Sequence, residues 1–335
     1  MGAVHARAAG LEQMPAEDPP ALLVAGPTAS GKSALALALA RRLGGVVINA
    51  DSMQVYRELR ILTARPSVEE EGMVPHDLYG VHPAAQAASV AWWREAALGA
   101  MARARAAGRL PILCGGTGLY FSALTRGLSA MPDIPPALRE EARALLEREG
   151  APALHARLLL ADPQSAARLR PGDGQRLARA WEVWRATGRG IAQWQEEAPS
   201  TGPAPYAFRA IRIDPPRDSL RAAIAARWEG MLRAGALVEV EALLAQGLDP
   251  ALPAMRAHGV PELSAVLSGR HDLAEAGRRA CLAIGQYTKR QATWFRHHDL
   301  AALCRTHIID ARIDGTAQLS ESWMREILSF LKLPH

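Results

Sequence analysis

Leu22-Leu23-Val24-Ala25-Gly26-Pro27-Thr28-Ala29-Ser30-Gly31-Lys32-Ser33 is the stretch that decides the fold of this 335-residue chain. An apolar run enters a glycine-bounded turn that ends in Lys-Ser, and strong helix formers follow from Ser33 to Leu43. An apolar run this short before a Gly-rich turn reads as a buried strand, Leu22–Gly26. Strand, turn and helix in that order are the context a P-loop requires. The glycines let the backbone fold around phosphate oxygens, and the loop amides and helix N-terminus present partial positive charge to them. Lys32 adds a full charge, and the Ser33 hydroxyl can ligate Mg²⁺. Gly26, Pro27, Thr28, Ala29, Ser30, Gly31, Lys32 and Ser33 are therefore the expected diphosphate- or nucleotide-binding residues. The motif specifies a diphosphate or triphosphate group and leaves the rest of the ligand open.

Outward from the loop, Val46–Ala50 reads as a second buried strand, Val90–Ala107 as a helix and Leu110–Cys114 as a third strand. Strands alternating with helices predict a parallel sheet covered on both faces. From Pro135 to about Glu197 the chain is rich in Ala, Leu, Arg and Glu, with helices expected at Ala137–Glu149, Ala153–Leu160, Gln175–Thr187 and Ile191–Glu196 between Pro and Gly stops. Phe208–Ile213 returns to strand. Asp218–Ala234, Val238–Gln246 and a long stretch from Asp272 to Trp294 read as helices, Cys304–Ile309 as a last strand and Glu321–Leu331 as a terminal helix. The fold class is α/β: a P-loop NTPase-like parallel sheet flanked by helices, with a helical insertion domain. Residues 1–20 are expected to be a disordered tail, 21–134 and 198–335 the core, and 135–197 the insertion.

Asp51 ends the second strand, at the sheet edge where ligands of open parallel sheets bind. A carboxylate there can hold Mg²⁺, act as a general base, or cap the turn that follows, and residue physics leaves these open. The third strand ends in Gly115-Gly116-Thr117-Gly118 with no acidic residue, which argues against an ordinary ATPase. Its glycines permit close backbone approach, and the Thr117 hydroxyl can donate to a phosphate or leaving-group oxygen.

Hydrophobic residues at 49% and charged residues at 22% give a globular balance, and a net charge of +5 is compatible with a polyanionic partner. Cys114, Cys281 and Cys304 lack metal-like spacing and read as ordinary thiols of a reducing compartment. No apolar run is long enough to span a bilayer, and the first residues lack a signal-peptide core. Between Ala276 and His298, Arg278, Arg279, Lys289, Arg290, Arg296, His297 and His298 interleave with Tyr287, Trp294 and Phe295, with no acid. Such a segment can pair with phosphates and stack on bases, or form an amphipathic helix with a solvated basic face. His76 is expected in a loop, with a structural role.

The motifs taken together resemble those of the tRNA dimethylallyltransferase (IPP transferase) family. They are Gly26–Ser33; Asn49-Ala50-Asp51-Ser52 with Gln54-Val55-Tyr56; Thr63-Ala64-Arg65-Pro66; Cys114 to Tyr120; Gly172 to Ala180; and Lys289 to Arg296. The resemblance implies transfer of a dimethylallyl group from dimethylallyl diphosphate, assisted by Mg²⁺, to N6 of adenine 37 in tRNAs reading codons that begin with U. It implies that the P-loop grips the donor's diphosphate, that Asp51 takes the amine proton, that Thr117 helps position the leaving group, and that Arg217 lies near the diphosphate. It implies tRNA contacts at Asp51, Ser52, Met53, Gln54, Thr117, Arg139, Gln175, Arg176, Leu177, Ala178, Arg179, Arg256, Gly259, Lys289, Arg290, Gln291, Trp294 and Arg296. Leu62, Val260-Pro261 and Gly285 depart from the family pattern. A monomer in the cytoplasm is expected, with tRNA and the prenyl donor as partners and no membrane. The competing readings are a P-loop small-molecule kinase, with Asp51 activating a hydroxyl, and a nucleic-acid-binding NTPase without transfer chemistry.

Overall fold

The computed structural model of the chain describes residues 18–197, 201–315 and 321–331. Most of the expected tail, residues 1–17, lies outside the described residues. Its expected end is corrected, because Pro20 already belongs to the first strand, β1 (Pro20–Ala25). A proline is tolerated at the first position of a strand.

Five more strands follow: β2 (Gly45–Asn49), β3 (His76–Asp77), β4 (Leu110–Gly115), β5 (Ala207–Ile213) and β6 (Thr306–Ile309). They form one parallel sheet in the order β3-β2-β4-β1-β5-β6. β3 takes in His76, which was expected in a loop. Two residues are too few to leave an alternation in the sequence. Every residue of β2, and all of β1 after Pro20, is buried, as befits a sheet covered on both sides.

Thirteen α-helices complete the described residues. Those of the sheet unit are α1 (Lys32–Leu43), α2 (Val68–Met73), α3 (Val90–Ala106), α4 (Gly118–Thr125), and then, after four others, α9 (Arg217–Arg233), α10 (Ala236–Leu244), α11 (Val260–Leu267), α12 (Leu273–His297) and α13 (Glu321–Leu331). The period-2 alternation of the strands divides the core. Leu23, Ala25, Ile48, Leu113 and Ala210 face one layer, built from α3, α4 and α9 to α12. Leu22, Val24, Val47, Ile112 and Ile211 face the other, built from α1 and α13. Leu23 is fully buried, so Leu23→Ala should cost about 2–5 kcal/mol.

β1 and β4 are neighbours, yet β1 leads into α1 on one face while β4 leads into α4 on the other. Chains leaving adjacent strands in opposite directions open a crevice at the carboxyl edge, where α/β proteins bind ligands. The Gly26–Ser33 loop and the Gly115–Gly118 turn border that crevice.

Residues 126–203 form a second compact unit with α5 (Pro136–Ala161), α6 (Pro163–Ala166), α7 (Gly174–Thr187) and α8 (Ile191–Glu197). It has its own core of Leu145, Leu154, Leu158, Ala166, Leu177 and Ala180. α5 is broken by Gly150, at φ 80° and ψ 166°, into the two expected helical pieces. The unit extends beyond the helical run because its two ends pair: the Leu128 amide donates to Thr201 Oγ1 at 3.0 Å, and the Thr201 amide to the Leu128 carbonyl at 2.9 Å. Among the described residues no helix is long and apolar enough to cross a membrane.

Candidate active site

The phosphate loop turns into α1 through Gly31, whose φ of 92° is left-handed. A Cβ there would also run into the backbone of Ile313. That contact belongs to a latch from a segment distant in sequence. The Ile313 amide donates to the Ser30 carbonyl at 3.0 Å, and Arg312 Nε donates to the Ala29 carbonyl at 3.1 Å. Lys32 is 9% exposed, and its ammonium donates to the Pro27 carbonyl at 3.4 Å. Burial lowers the Lys32 pKa below the ordinary lysine range, and the nearby Asp51 carboxylate opposes the shift. Cys114 lies beneath the loop with its thiol pushed up to about 11, chiefly by burial. It stays protonated and is no nucleophile.

Asp51 follows β2 and is held from several directions. Its amide donates to Asn49 Oδ1 at 2.8 Å, and Asn49 Nδ2 donates back to the Asp51 carbonyl at 3.0 Å. Asp51 Oδ1 accepts the Met53 amide at 3.0 Å, so the carboxylate does cap the turn after it. Trp93, stacked on Tyr120 at 4.1 Å, donates its indole N–H to the Asn49 carbonyl at 2.9 Å. Thr117 Oγ1 accepts the Ser52 amide at 2.9 Å, fastening the residue after Asp51 to the β4 turn.

One cavity gathers Thr28, Lys32, Ser33 and Asp51 on a polar side with Met53, Gln54, Leu62, Ile224, Trp228, Met231, His258, Ile284 and Tyr287 around the rest. Thr117 does not line it. Its hydroxyl accepts the Ser52 amide and is hydrogen-bonded to Tyr287, which does line the cavity, so Thr117 holds the Asp51 turn beside it. Arg217 is corrected: it opens α9 and lines a neighbouring cavity, which shares Ile224 with this one, alongside Arg221, Lys289 and Arg296. The arginine on the Lys32–Asp51 cavity is Arg227, which donates to the Thr63 carbonyl at 3.2 Å. Burial lowers the Arg227 pKa, against the pull of Asp51, and a guanidinium keeps its charge in proteins. Sequence reasoning missed Arg227. The signal was available: it sits at helical spacing among Leu220, Ile224, Trp228 and Met231, a charge inside a buried stripe. Burial raises the Tyr287 phenol to about 12, with the Asp51 charge adding to it, and lowers the His258 imidazole pKa.

Gln291 is corrected from an RNA contact to a brace within the site. It is 5% exposed; its Oε1 accepts the Thr28 amide at 2.8 Å and the Thr28 hydroxyl at 3.1 Å, while its Nε2 donates to the Gly116 carbonyl at 3.0 Å. It spans the crevice between β1 and β4. Gly259 is buried against Leu62 and Trp228, and Leu177 is a core residue of the 126–203 unit, so neither offers a side chain to RNA. Trp294 is half-buried and stacks on His298 at 4.3 Å. Lys289, Arg290 and Arg296 are exposed on α12; Arg290 lies over the Tyr287 ring at 5.5 Å, and Arg296 pairs with Asp214 at 2.9 Å. Arg256 is exposed beside Arg270, His271 and Arg279 on a third cavity. Within the 126–203 unit, Gln175 and Arg176 are exposed, Ala178 and Arg179 are half-buried, and Arg139 is exposed beside Asp133.

A P-loop lysine, a half-buried arginine, a braced carboxylate and an apolar wall on one cavity define the site of a P-loop-like α/β protein. Two family models match: IPP transferase over residues 54–298 and isopentenyl transferase over residues 20–73. The tRNA dimethylallyltransferase of Granulibacter bethesdensis is 60% identical over 315 residues, covering 94% of this chain and 98% of that one. That of Gluconacetobacter diazotrophicus is 58% identical over 318 residues, covering 94% and 95%. The solved tRNA isopentenylpyrophosphate transferase of Bacillus halodurans superposes with a TM-score of 0.64 at 31% identity, covering 93% of this chain and 97% of that one. The chain belongs to the IPP transferase family.

Proposed function

We propose that the protein transfers a dimethylallyl group from dimethylallyl diphosphate to N6 of adenine 37 in the anticodon loop of tRNAs reading codons that begin with U. The products are N6-dimethylallyladenosine and diphosphate. The observation that carries this reading is Asp51 on the same cavity as Lys32, Arg227 and an apolar wall. The donor's diphosphate lies on the P-loop amides with Lys32 and Arg227 as counter-charges. Its allylic chain follows the apolar wall. The adenine leaves the loop stack to reach the cavity, at lower cost in a single-stranded loop than in a duplex. The N6 lone pair forms the bond to C1 of the donor as the C1–O bond breaks. The electron pair leaves with diphosphate, and Asp51 takes the amine proton.

Among the described residues no cluster of three His, Cys, Asp or Glu side chains could hold a metal alone. Ser33 lies on the cavity at the end of the phosphate loop, and its hydroxyl would hold Mg²⁺ together with the donor's diphosphate, leaving Asp51 free as the base. Bound there, Mg²⁺ supplies charge neutralisation of the departing diphosphate. The exposed cations Lys289 and Arg290 of α12, Arg256, and Arg139 and Arg176 of the 126–203 unit supply phosphate contacts to tRNA. The protein acts as a monomer in the cytoplasm.

A kinase would need ATP in a cavity whose far side is apolar, and the β4 edge offers no acid for a conventional nucleotide-bound metal. The deciding experiment incubates the protein with Mg²⁺, unmodified tRNA and labelled dimethylallyl diphosphate. Label is expected in RNA; ATP turnover without labelled RNA would overturn the proposal.

A further inference from the structure

We infer that Leu62 sets how long a prenyl chain the donor cavity accepts, acting as a fixed stop on its apolar side. The inference rests on the donor reading above and adds which residue measures the donor.

Leu62 lines the cavity near Ile224, Trp228 and Met231 and is only 6% exposed. Behind it stands the bare backbone of Gly259. A Cβ at Gly259 would lie 2.6 Å from Leu62 Cδ2 and 3.2 Å from the Trp228 ring. With φ at 101°, Gly259 is also in a conformation that side chains rarely adopt. The isobutyl group thus fills the space left by a missing side chain and is packed against the Gly259 backbone on the side away from solvent.

The backbone that carries Leu62 is fixed independently of that side chain. The Glu239 carboxylate accepts three consecutive amides: Arg60 at 2.6 Å, Ile61 at 2.7 Å and Leu62 at 2.9 Å. The next carbonyl, of Thr63, accepts Arg227 Nη2 at 3.2 Å and Gln54 Nε2 at 2.9 Å. Truncating Leu62 therefore removes the stop and leaves the wall in place. The phosphate end is equally fixed, at Thr28, Lys32 and Ser33. A tail anchored at its diphosphate and running along a wall held at both ends is measured by that wall. The ligand class discriminated is the allylic diphosphates, which differ by whole five-carbon units.

The test compares kcat/KM for dimethylallyl and geranyl diphosphate at saturating tRNA in wild type, Leu62→Ala and Leu62→Val. Leu62→Ala should raise the geranyl-to-dimethylallyl ratio about tenfold or more, as expected when several methylenes leave an apolar pocket. Leu62→Val should shift it less, in the same direction, and it serves as the decisive variant if Leu62→Ala does not fold. The affinity for tRNA should not change. An unchanged donor ratio with dimethylallyl transfer intact would overturn the inference and leave the proposed function standing. A raised KM for tRNA with no change in donor ratio would place the adenine against Leu62 and also overturn it. Wild-type protein that transfers neither donor would remove the function and the inference together.

Discussion

Glu239 lies far from the phosphate loop in sequence and touches no proposed substrate, yet its loss should be felt in stability and in donor choice. Its two oxygens serve three backbone amides in a row, at 2.6, 2.7 and 2.9 Å. Glu239→Ala leaves all three donors without their acceptor. A hydrogen bond to a charged group contributes about 1.5–3 kcal/mol when fully buried. Glu239 is half-buried, so water reaches part of the site, and about 1 kcal/mol per amide is the better figure. The total, about 3 kcal/mol, corresponds to a fall in Tm of roughly 6–12 °C for a unit of this size. Glu239→Gln keeps one oxygen for Arg60 and Ile61 but turns an NH2 toward the Leu62 amide, so it should lose about 1 kcal/mol. Urea unfolding followed by tryptophan fluorescence gives both values. Discrimination between short and long prenyl donors should also weaken in Glu239→Ala, because the segment carrying Leu62 is released. A loss below about 0.5 kcal/mol in Glu239→Ala, or equal losses in the two variants, would refute the clamp.

Asp51→Asn should lower kcat for prenyl transfer by about 10²–10⁴ while tRNA affinity holds, measured by single turnover and filter binding; equal loss of both would deny the base role. Gln291→Ala should raise KM for the donor more than Kd for tRNA, since it frees Thr28 and Gly116 without changing the surface of α12, and unchanged donor KM would dismiss the brace. Donor KM should rise with pH, beginning below the ordinary lysine value of 10.5. Burial lowers the Lys32 pKa, so the charge that grips diphosphate is present at lower pH and lost early as pH rises; a flat profile up to that value would contradict this. tRNA affinity should fall steeply as salt increases, and log Kd independent of log salt would remove the exposed cations of α12 from the interface.

The parallel core was legible in the sequence because both of its signals are local. Leu22–Ala25 and Leu110–Cys114 are short apolar runs, and glycine turns mark their carboxyl ends. Asp51 and Lys32 could be brought together from topology alone, since each follows a strand of one sheet. Arg227 and Gln291 could not be placed that way. Both lie in mid-helix, where an isolated polar residue in an apolar stripe signals burial but not what it faces. Arg217, at a helix start after β5, held the position that topology favours, yet α9 carries Arg227 to the cavity two to three turns later. Leu177 and Gln291 show the same limit: a block that resembles an RNA-contacting motif contains inward positions, and only packing separates them from the outward ones.

The latch from Ile313 and Arg312 onto Ser30 and Ala29 has a consequence for biosynthesis. The loop that carries Lys32 is translated well before the segment that braces it. β1 gains its β5 neighbour only after the whole 126–203 unit has been translated. A nascent chain can thus collapse around its early strands while its donor site stays unfinished, and competence arrives in one late step. Polypeptides cut short before residue 312 would lack both hydrogen bonds of the latch on the phosphate loop.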